Sequence, residues 1–559
     1  MRTTVRRSLW VLLAGVVLVG LLGLLLVSQR PRGRGSAPGP WLIMRIQEPG
    51  GTLNPIISKD YYAGAVNGYV YESFLRRDPI TLKWVPNLAE SLPEISPDKK
   101  QFTFRLRKGI LWHPDDNELT PDNVEITADD VIFSHHTIMN PKVECQNIRN
   151  YFQDLEKVEK LDRYTVRFTA KNVYWRWISV LGSMDIVPKH IFEYPEKNPE
   201  LFNINPAGRH PIGTGPYRFL TWDHGQQIIL VRNEVYWNKE RMPKIPRIVF
   251  KFIIDDTAAM EHVKKQEIDR FGCSSEQWFR DAAEPMVLDH FRRFRINSIG
   301  YNYIGWNQKT VFFKDRLVRL AMTHAVPRQR FLETRMNNLG RVVTGNFYVG
   351  HPSYNQAIQP WPYDLEKARE FLEEAGWKDT DGDGIRDKDG KKFDFQLLLP
   401  SGRPIYTDLA VTVKGELAKI GVKMNIRGLD WASFISELEK RNFDAVTLGW
   451  AMGLDPDPYQ LWHSSQAGVT GSNFIYFRNA EADRIIENAR REFDDDKRNA
   501  LFHRFHEIMH HEQPYTFLYN RPSLMLVHRR FENVRKYELG FEDSEWWVRP
   551  ENQKYGVSY

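Results

Sequence analysis

The sequence predicts an α/β protein of several domains behind one long apolar run, and three observations carry this. The chain has 559 residues, enough for two to four domains. Runs with strand-like alternation recur along it: WLIMRI (41–46), FTFRLR (102–107), YTVRFTA (164–170), QIILV (227–231), RIVFKFII (247–254), FDFQLLL (393–399) and KMNIRGL (423–429). Helical runs lie between them, and strands and helices mixed throughout mean layered α/β or α+β architecture.

The apolar run comes first. Leu9 to Val27 is nineteen uncharged, almost wholly apolar residues, close to the ~20 that span a bilayer as a helix. It exceeds the apolar core of a cleaved signal, no cysteine follows it for lipid attachment, and Pro38 spoils the small-residue triplet Gly35-Ser36-Ala37 as a cleavage site. Residues 1–27 are therefore expected to be an uncleaved membrane anchor. Arg2, Arg6 and Arg7 keep its start cytoplasmic, against the opposing vote of Arg30, Arg32 and Arg34. Residues 28–40 read as a flexible linker. The body beyond is expected on the periplasmic or extracellular side.

Apolar residues are 42% and charged residues 26%, which excludes a disordered chain. The six arginines of residues 1–40 account for the whole net charge of +6, leaving 71 basic and 71 acidic residues in balance. Bulk charge therefore gives a nucleic-acid partner no support. Cys145 and Cys273 cannot build a cysteine-rich zinc cluster, and whether they pair is open.

Two helix starts are legible. Thr127 with Asp130 forms a capping box ahead of DDVIFSHHTIM. Asp364 caps LEKAREFLEEA, in which Leu365, Ala368, Phe371, Leu372 and Ala375 share one face and Gly376 ends the helix.

Neither a phosphate-cradling G-x-x-x-x-G-K string nor a G-x-S-x-G elbow occurs, and two chemical motifs remain. In DTDGDGIRDKDG (379–390), Asp379, Asp381, Asp383 and Asp387 stand at the spacing of a calcium loop, but the twelfth position is Gly390 instead of a bidentate Glu. A strand follows instead of a helix, so a solvated turn is the favoured reading. The second motif, His506-Glu507-Ile508-Met509-His510, is H-E-x-x-H, two imidazoles one turn apart around a general base. A third ligand is wanting: Gln513 and Thr516 replace the Gly and His of one extension, and Pro514 breaks the helix before Glu532. Leu501, Phe502, Phe505, Ile508 and Met509 form an apolar stripe, with His503, His506 and His510 on the other face. The expectation is a surface helix with solvated histidines.

Taken in order, longer strings carry a resemblance: TLNPIISKDYYAGAVNGYVYESFLRRDP (52–79), VPNLAESLPEISPDKKQFTFRLRKGILWHPDD (85–116), LTPDNVEITADDVIFS, PIGTGPYRFLTWDHG (211–225), the N-x-x-YW segment of 231–271 and HHEQPYTFLYNR (510–521). The chain resembles the family 5 extracellular solute-binding proteins, the peptide- and nickel-type receptors of ABC importers. The resemblance implies a periplasmic-binding-protein type II-like two-lobed cleft with an extra inserted domain. Residues 41–60 with 191–297 and 520–559 would form lobe I, 61–190 the inserted domain, and 298–519 lobe II. It implies a chain, expected to be a monomer, that closes on a ligand and delivers it to permease subunits. It implies no cofactor and no catalytic role for the H-E-x-x-H helix.

By the same resemblance, Trp431 and Trp450, nineteen residues apart, would line the cleft, with Asn473 and Tyr151 as further lining positions. Many peptide-binding relatives hold the ligand amine with an Asp just after the second Trp. Here Met452 and Gly453 stand there, and the next acids are Asp455 and Asp457, so Asp455 is the candidate and the ligand stays open among peptide, metal complex and sugar. Pro327 also replaces a usual Asp, a local departure at a helix boundary. Two alternatives remain: a zinc hydrolase using His506, Glu507 and His510, and a ligand-sensing receptor without transport.

Overall fold

The computed structural model describes residues 40–114, 123–468 and 471–554. Most of its strands gather into two large sheets and one smaller one, and the rest form four two-stranded pairs. The first has seven strands, in the order Phe291–Ile296, Ser523–His528, Arg270–Cys273, Trp41–Ile46, Arg247–Phe252, Gln227–Arg232 and Tyr217–Asp223. Trp41–Ile46 is central and parallel to Arg247–Phe252, and its buried Leu42, Ile43, Met44 and Ile46 make the near-continuous apolar run such a position demands. Gln227–Arg232 lies nearer the edge and alternates, burying Ile228 and Leu230 only.

The second sheet has five strands, in the order Lys423–Leu429, Asp394–Pro400, Ala445–Ala451, Gly300–Trp306 and Tyr515–Phe517. Its first three strands run parallel and the other two antiparallel to their neighbours. A four-stranded antiparallel sheet, Glu94–Ile95, Gln101–Arg105, Thr165–Ala170 and Leu155–Lys160, stands beside the first. The strands expected from alternation thus form within a residue or two of their predicted bounds. Thr127 and Asp130 close the expected capping box on Ala128–Met139, and Asp364 caps Leu365–Glu374.

Packing divides the molecule into two bodies. One core runs from Leu42 and Phe250 of the seven-stranded sheet through Phe74 to Phe104 and Phe168 of the small sheet. The five-stranded sheet carries separate cores around Trp306 and Phe395 on one face and Tyr303 and Phe505 on the other. The chain crosses between the large sheets at 297–299 and again at 521–522. The crossings lie side by side: Asn520 Nδ2 donates to the Ser298 carbonyl at 2.8 Å and Ser298 Oγ to the Arg521 carbonyl at 2.5 Å. Two short bonded crossings between separate cores make a hinge.

The expected anchor over residues 1–27 and linker over 28–40 lie almost wholly outside the described residues. Among the described residues no helix is long and apolar enough to cross a membrane.

Candidate ligand-binding site

A part-buried carboxylate ties four segments of the first body together. Glu72, just past the helix Tyr61–Val70, accepts from Tyr236 Oη and Trp237 Nε1 at 2.8 Å each, Thr214 Oγ1 at 3.1 Å and Asn87 Nδ2 at 3.3 Å. Burial pushes its acid constant up while the four donors hold it down, and the net is above the usual range. Four separate strings of the sequence converge here. His113 repeats the pattern: its Nδ1 accepts from the Gly213 amide at 3.3 Å, so Nε2 carries the proton and donates to the Gly215 carbonyl at 2.8 Å. Gly213 has no alternative, because a Cβ there would stand 1.9 Å from the Val70 carbonyl oxygen.

Between the bodies runs a charged seam. Asp455 accepts from Arg77 Nη2 and, at 3.1 Å, from Trp84 Nε1, while the Arg77 guanidinium lies 3.9 Å over the Trp84 ring. Two residues on, Asp457 accepts from Tyr174 Oη at 2.5 Å and pairs with Arg490 Nε at 3.2 Å. The Trp175 amide donates to the Arg490 carbonyl at 3.0 Å, and Arg498 stacks 3.8 Å over the Trp175 ring. Burial and the Asp457 charge together push the Tyr174 phenol well up, so it stays a donor.

Two cavities, about 610 and 460 Å³, share Arg77, Trp84 and Asp455 as walls. The smaller has apolar sides from Ile138, Phe152, Val180 and Met184, with hinge residue Ile299 and loop residues Gly453 and Leu454 closing it. It lies where the parallel strands of the five-stranded sheet end, the edge at which open α/β sheets present ligand crevices.

Of the residues expected from sequence, Tyr151 and Asp455 line this smaller cavity together. Trp450 sits between Tyr303 and Phe474, parallel to both at 6.3 Å, with its Nε1 3.4 Å from Tyr515 Oη. Trp431 begins the helix Trp431–Lys440 and is 58% exposed, leaning on Phe434. Neither tryptophan borders the two seam cavities. Asn473 is fully buried, its amide bonded to the His463 and Phe477 carbonyls and the Phe477 amide, so it holds a turn and does not face the cleft. Arg77, Trp84, Tyr174, Asp457 and Arg490 were not singled out by the sequence reading. Their one local signal is the pairing of Arg77 and Trp84 across the short hairpin Leu75–Arg77 and Trp84–Pro86.

The expectation of solvated histidines on Asp495–Glu512 needs correction. His506 is fully buried. Its Nδ1 accepts from the Asn355 amide at 3.2 Å, so Nε2 donates to Thr344 Oγ1 at 3.0 Å, and burial pushes its acid constant down to about 3. His510 stacks parallel on Trp361 at 4.9 Å, and Glu507 pairs with Arg504. Both His506 nitrogens are therefore occupied by the fold, and the described residues that group as metal ligands are Asp379, Asp381 and Asp387 instead. In that loop Lys392 Nζ sits on Asp381 at 2.5 Å and Asp383 at 2.9 Å, while Asp379 accepts from the Gly382 and Gly384 amides. Cys145 and Cys273 are both free thiols.

Comparison with known proteins agrees with this architecture. The family described as bacterial extracellular solute-binding proteins, family 5 (middle), matches residues 83–472. The oligopeptide-binding protein AppA of Bacillus subtilis is 31% identical over 541 residues, covering 93% of this chain and 94% of that protein. Its structure with a nonapeptide superposes with a TM-score of 0.73 at 28% identity, over 92% of this chain and 100% of that one. NikZ from Campylobacter jejuni, solved with Ni(L-His), gives a TM-score of 0.73 at 26% identity over 91% and 100%. The fold is thus the two-lobed α/β architecture of periplasmic binding proteins, and the chain belongs to family 5 of the bacterial extracellular solute-binding proteins.

Proposed function

We propose that this protein is the substrate-binding component of an ABC importer, capturing a peptide or similar small solute between its lobes and delivering it to permease subunits. The observation that carries the reading is the cavity of about 460 Å³ walled by both bodies and closed by the hinge. A ligand there contacts both lobes at once, so it favours the closed form by the difference in its contacts. The division that fits this motion makes 41–60, 191–297 and 520–559 lobe I, 61–190 the inserted domain sharing its core, and 298–519 lobe II. Tyr151 and Asp455 would border the ligand, and Trp431 and Trp450 would extend the surface along lobe II. The apolar run Leu9–Val27 would tether the body, as a monomer, to the outer face of the cytoplasmic membrane.

Thermal shift against peptide, sugar and metal-chelate panels, with mass spectrometry of the co-purified solute, tests the reading. A peptide bound in purified protein, and a rise in melting temperature with peptides alone, is the expected result. Indifference to every panel, with no solute retained, would overturn it.

A further inference from the structure

The end of the seven-stranded sheet at which Trp41–Ile46 begins gathers positive charge. Register sets its members: Trp41 lies beside Arg247, and Phe291 beside His528. Asp269 ties the two pairs together, its amide donating to the Ile43 carbonyl and its carbonyl accepting from the His528 amide, at 2.8 Å each. Arg292 stands in the strand Phe291–Ile296, Arg529 just past Ser523–His528, and Lys244 shortly before Arg247. Lys554 returns from the C-terminal segment to donate to the Gln266 carbonyl at 3.0 Å. Burial, then the charges of Lys554, Arg530, His290 and Arg292, push the His528 acid constant down to about 3, so these cations lie within electrostatic reach of one imidazole.

The carboxylates that act on this group are already committed. Asp269 pairs with Arg530 at 2.6 Å, and Glu532 with Arg549 at 2.7 Å. No carboxylate among the described residues pairs with Lys244, Arg247, Arg292, Arg529 or Lys554. Exposed Asp289 and Glu551 flank these five cations, which leaves an excess of three positive charges on a body whose totals balance. Aromatic rings accompany them. The Arg247 guanidinium lies 4.6 Å over the Trp41 ring, and exposed Trp547 stands opposite Glu532 on a short hairpin. Cations for phosphates beside amphipathic rings for the headgroup level are the chemistry of a membrane-surface contact.

The chain itself brings this end toward a bilayer. Trp41 begins the fold, and its carbonyl is held by Arg530 Nη2 at 2.5 Å. Thirteen residues (28–40) separate it from the apolar run, and Arg30, Arg32 and Arg34 fall among them. A flexible linker of that length spans about 20 Å on average. We propose that the Trp41 end of lobe I docks on a bilayer surface carrying anionic phospholipid headgroups, through Lys244, Arg247, Arg292, Arg529 and Lys554. This rests on the tethering reading above and goes beyond it, because it gives the tethered body an orientation. None of the five cations borders either seam cavity, so docking does not occupy the cleft.

The test is amine acylation of the full chain in vesicles, read residue by residue by mass spectrometry. One vesicle is phosphatidylcholine alone, and the other carries about 30% phosphatidylglycerol. The anionic vesicles should slow acylation of Lys244 and Lys554 at least about fivefold and leave exposed Lys414 and Lys440 of lobe II unchanged. Salt at about 0.5 M should restore both rates in the wild type, an arm that needs no variant. Arg529→Gln removes a charge but no footprinted amine, and should lower the ratio of docked to free body about fivefold. Equal rates at Lys244 and Lys554 in the two vesicles, or shielding spread equally over lobe II, overturn the docking; if the chain still floats with both vesicles, the tether stands. A chain that floats only with the anionic vesicles, shielded at these two lysines, overturns the tether and keeps the docked face. One that floats with neither overturns both.

Discussion

Two part-buried carboxylate centres teach opposite lessons about this chain. Glu72 and the seam aspartates are both ringed by aromatic donors and both tie distant segments together. Yet Glu72 joins pieces of one body around neutral donors, whereas Asp455 and Asp457 join two bodies, through the Arg77 guanidinium and the Tyr174 hydroxyl. Neutral donors drawn from four segments of one body hold one geometry, because any opening leaves several groups unpaired at once. Charged partners at a part-exposed boundary exchange for water at low cost, which is what a closing cleft requires. The first centre is a fixture and the second is a clasp.

The largest expected effect tests the fixture. Glu72→Ala leaves four donors facing an empty acceptor and should cost about 3–5 kcal/mol, read as a lower urea midpoint. Gly213→Ala should come next, at about 1–3 kcal/mol or more, because the added methyl meets the Val70 carbonyl. A loss under about 1 kcal/mol in both would remove the distinction between the centres.

His113 sharpens it through pH. Burial lowers its folded acid constant to about 4, below the ordinary ~6.5 of the unfolded chain. The unfolded state therefore binds the extra proton first, so stability is full above about 6.5 and falls as pH drops toward 4, by up to about 3 kcal/mol. His113→Gln should flatten that part of the pH–stability curve, and an unchanged slope would contradict the burial argument.

The strings that build the fixture were legible, but their meeting point was not. Thr214, Tyr236 and Trp237 lie 142, 164 and 165 residues from Glu72, and no periodicity reports such a distance. The same limit misled the reading of His506. Helical spacing correctly placed it off the stripe of Phe502, Phe505 and Met509, but spacing within one helix says nothing about Thr344 and Asn355, which cover that other face. The strands needed no such partner information, because a central strand shows its burial in its own composition, as Trp41–Ile46 does. The seam was the least legible part. Arg77 and Asp455 are ordinary surface residue types, and only the closure of one body on the other makes them a pair.

A smaller effect tests the clasp. Asp457 is 9% exposed and reaches the first body by accepting from Tyr174 Oη at 2.5 Å, while Arg490 of its own lobe holds it in place. Asp457→Asn should cost about 1 kcal/mol or less in global stability, because neither core is touched. The ligand-free chain should open instead, seen as a larger radius of gyration by small-angle scattering, with a similar opening in the wild type at high salt. A fall in the urea midpoint as deep as that of Glu72→Ala would mean that the seam belongs to the cores and is no clasp.

The smallest change in stability is expected at Trp431, where the clasp and the ligand surface can be told apart. Trp431 is 58% exposed and rests on Phe434, so Trp431→Ala should alter stability by no more than about 0.5 kcal/mol. Trp450 is of the same residue type but lies between Tyr303 and Phe474, and Trp450→Ala should cost about 3 kcal/mol. An exposed ring that does not support the core is available to a ligand. If lobe II offers it to the captured solute, Trp431→Ala should weaken peptide binding about tenfold while the melting curve stays in place. Unchanged affinity together with unchanged stability would remove Trp431 from the site and leave the seam cavity as the whole of it.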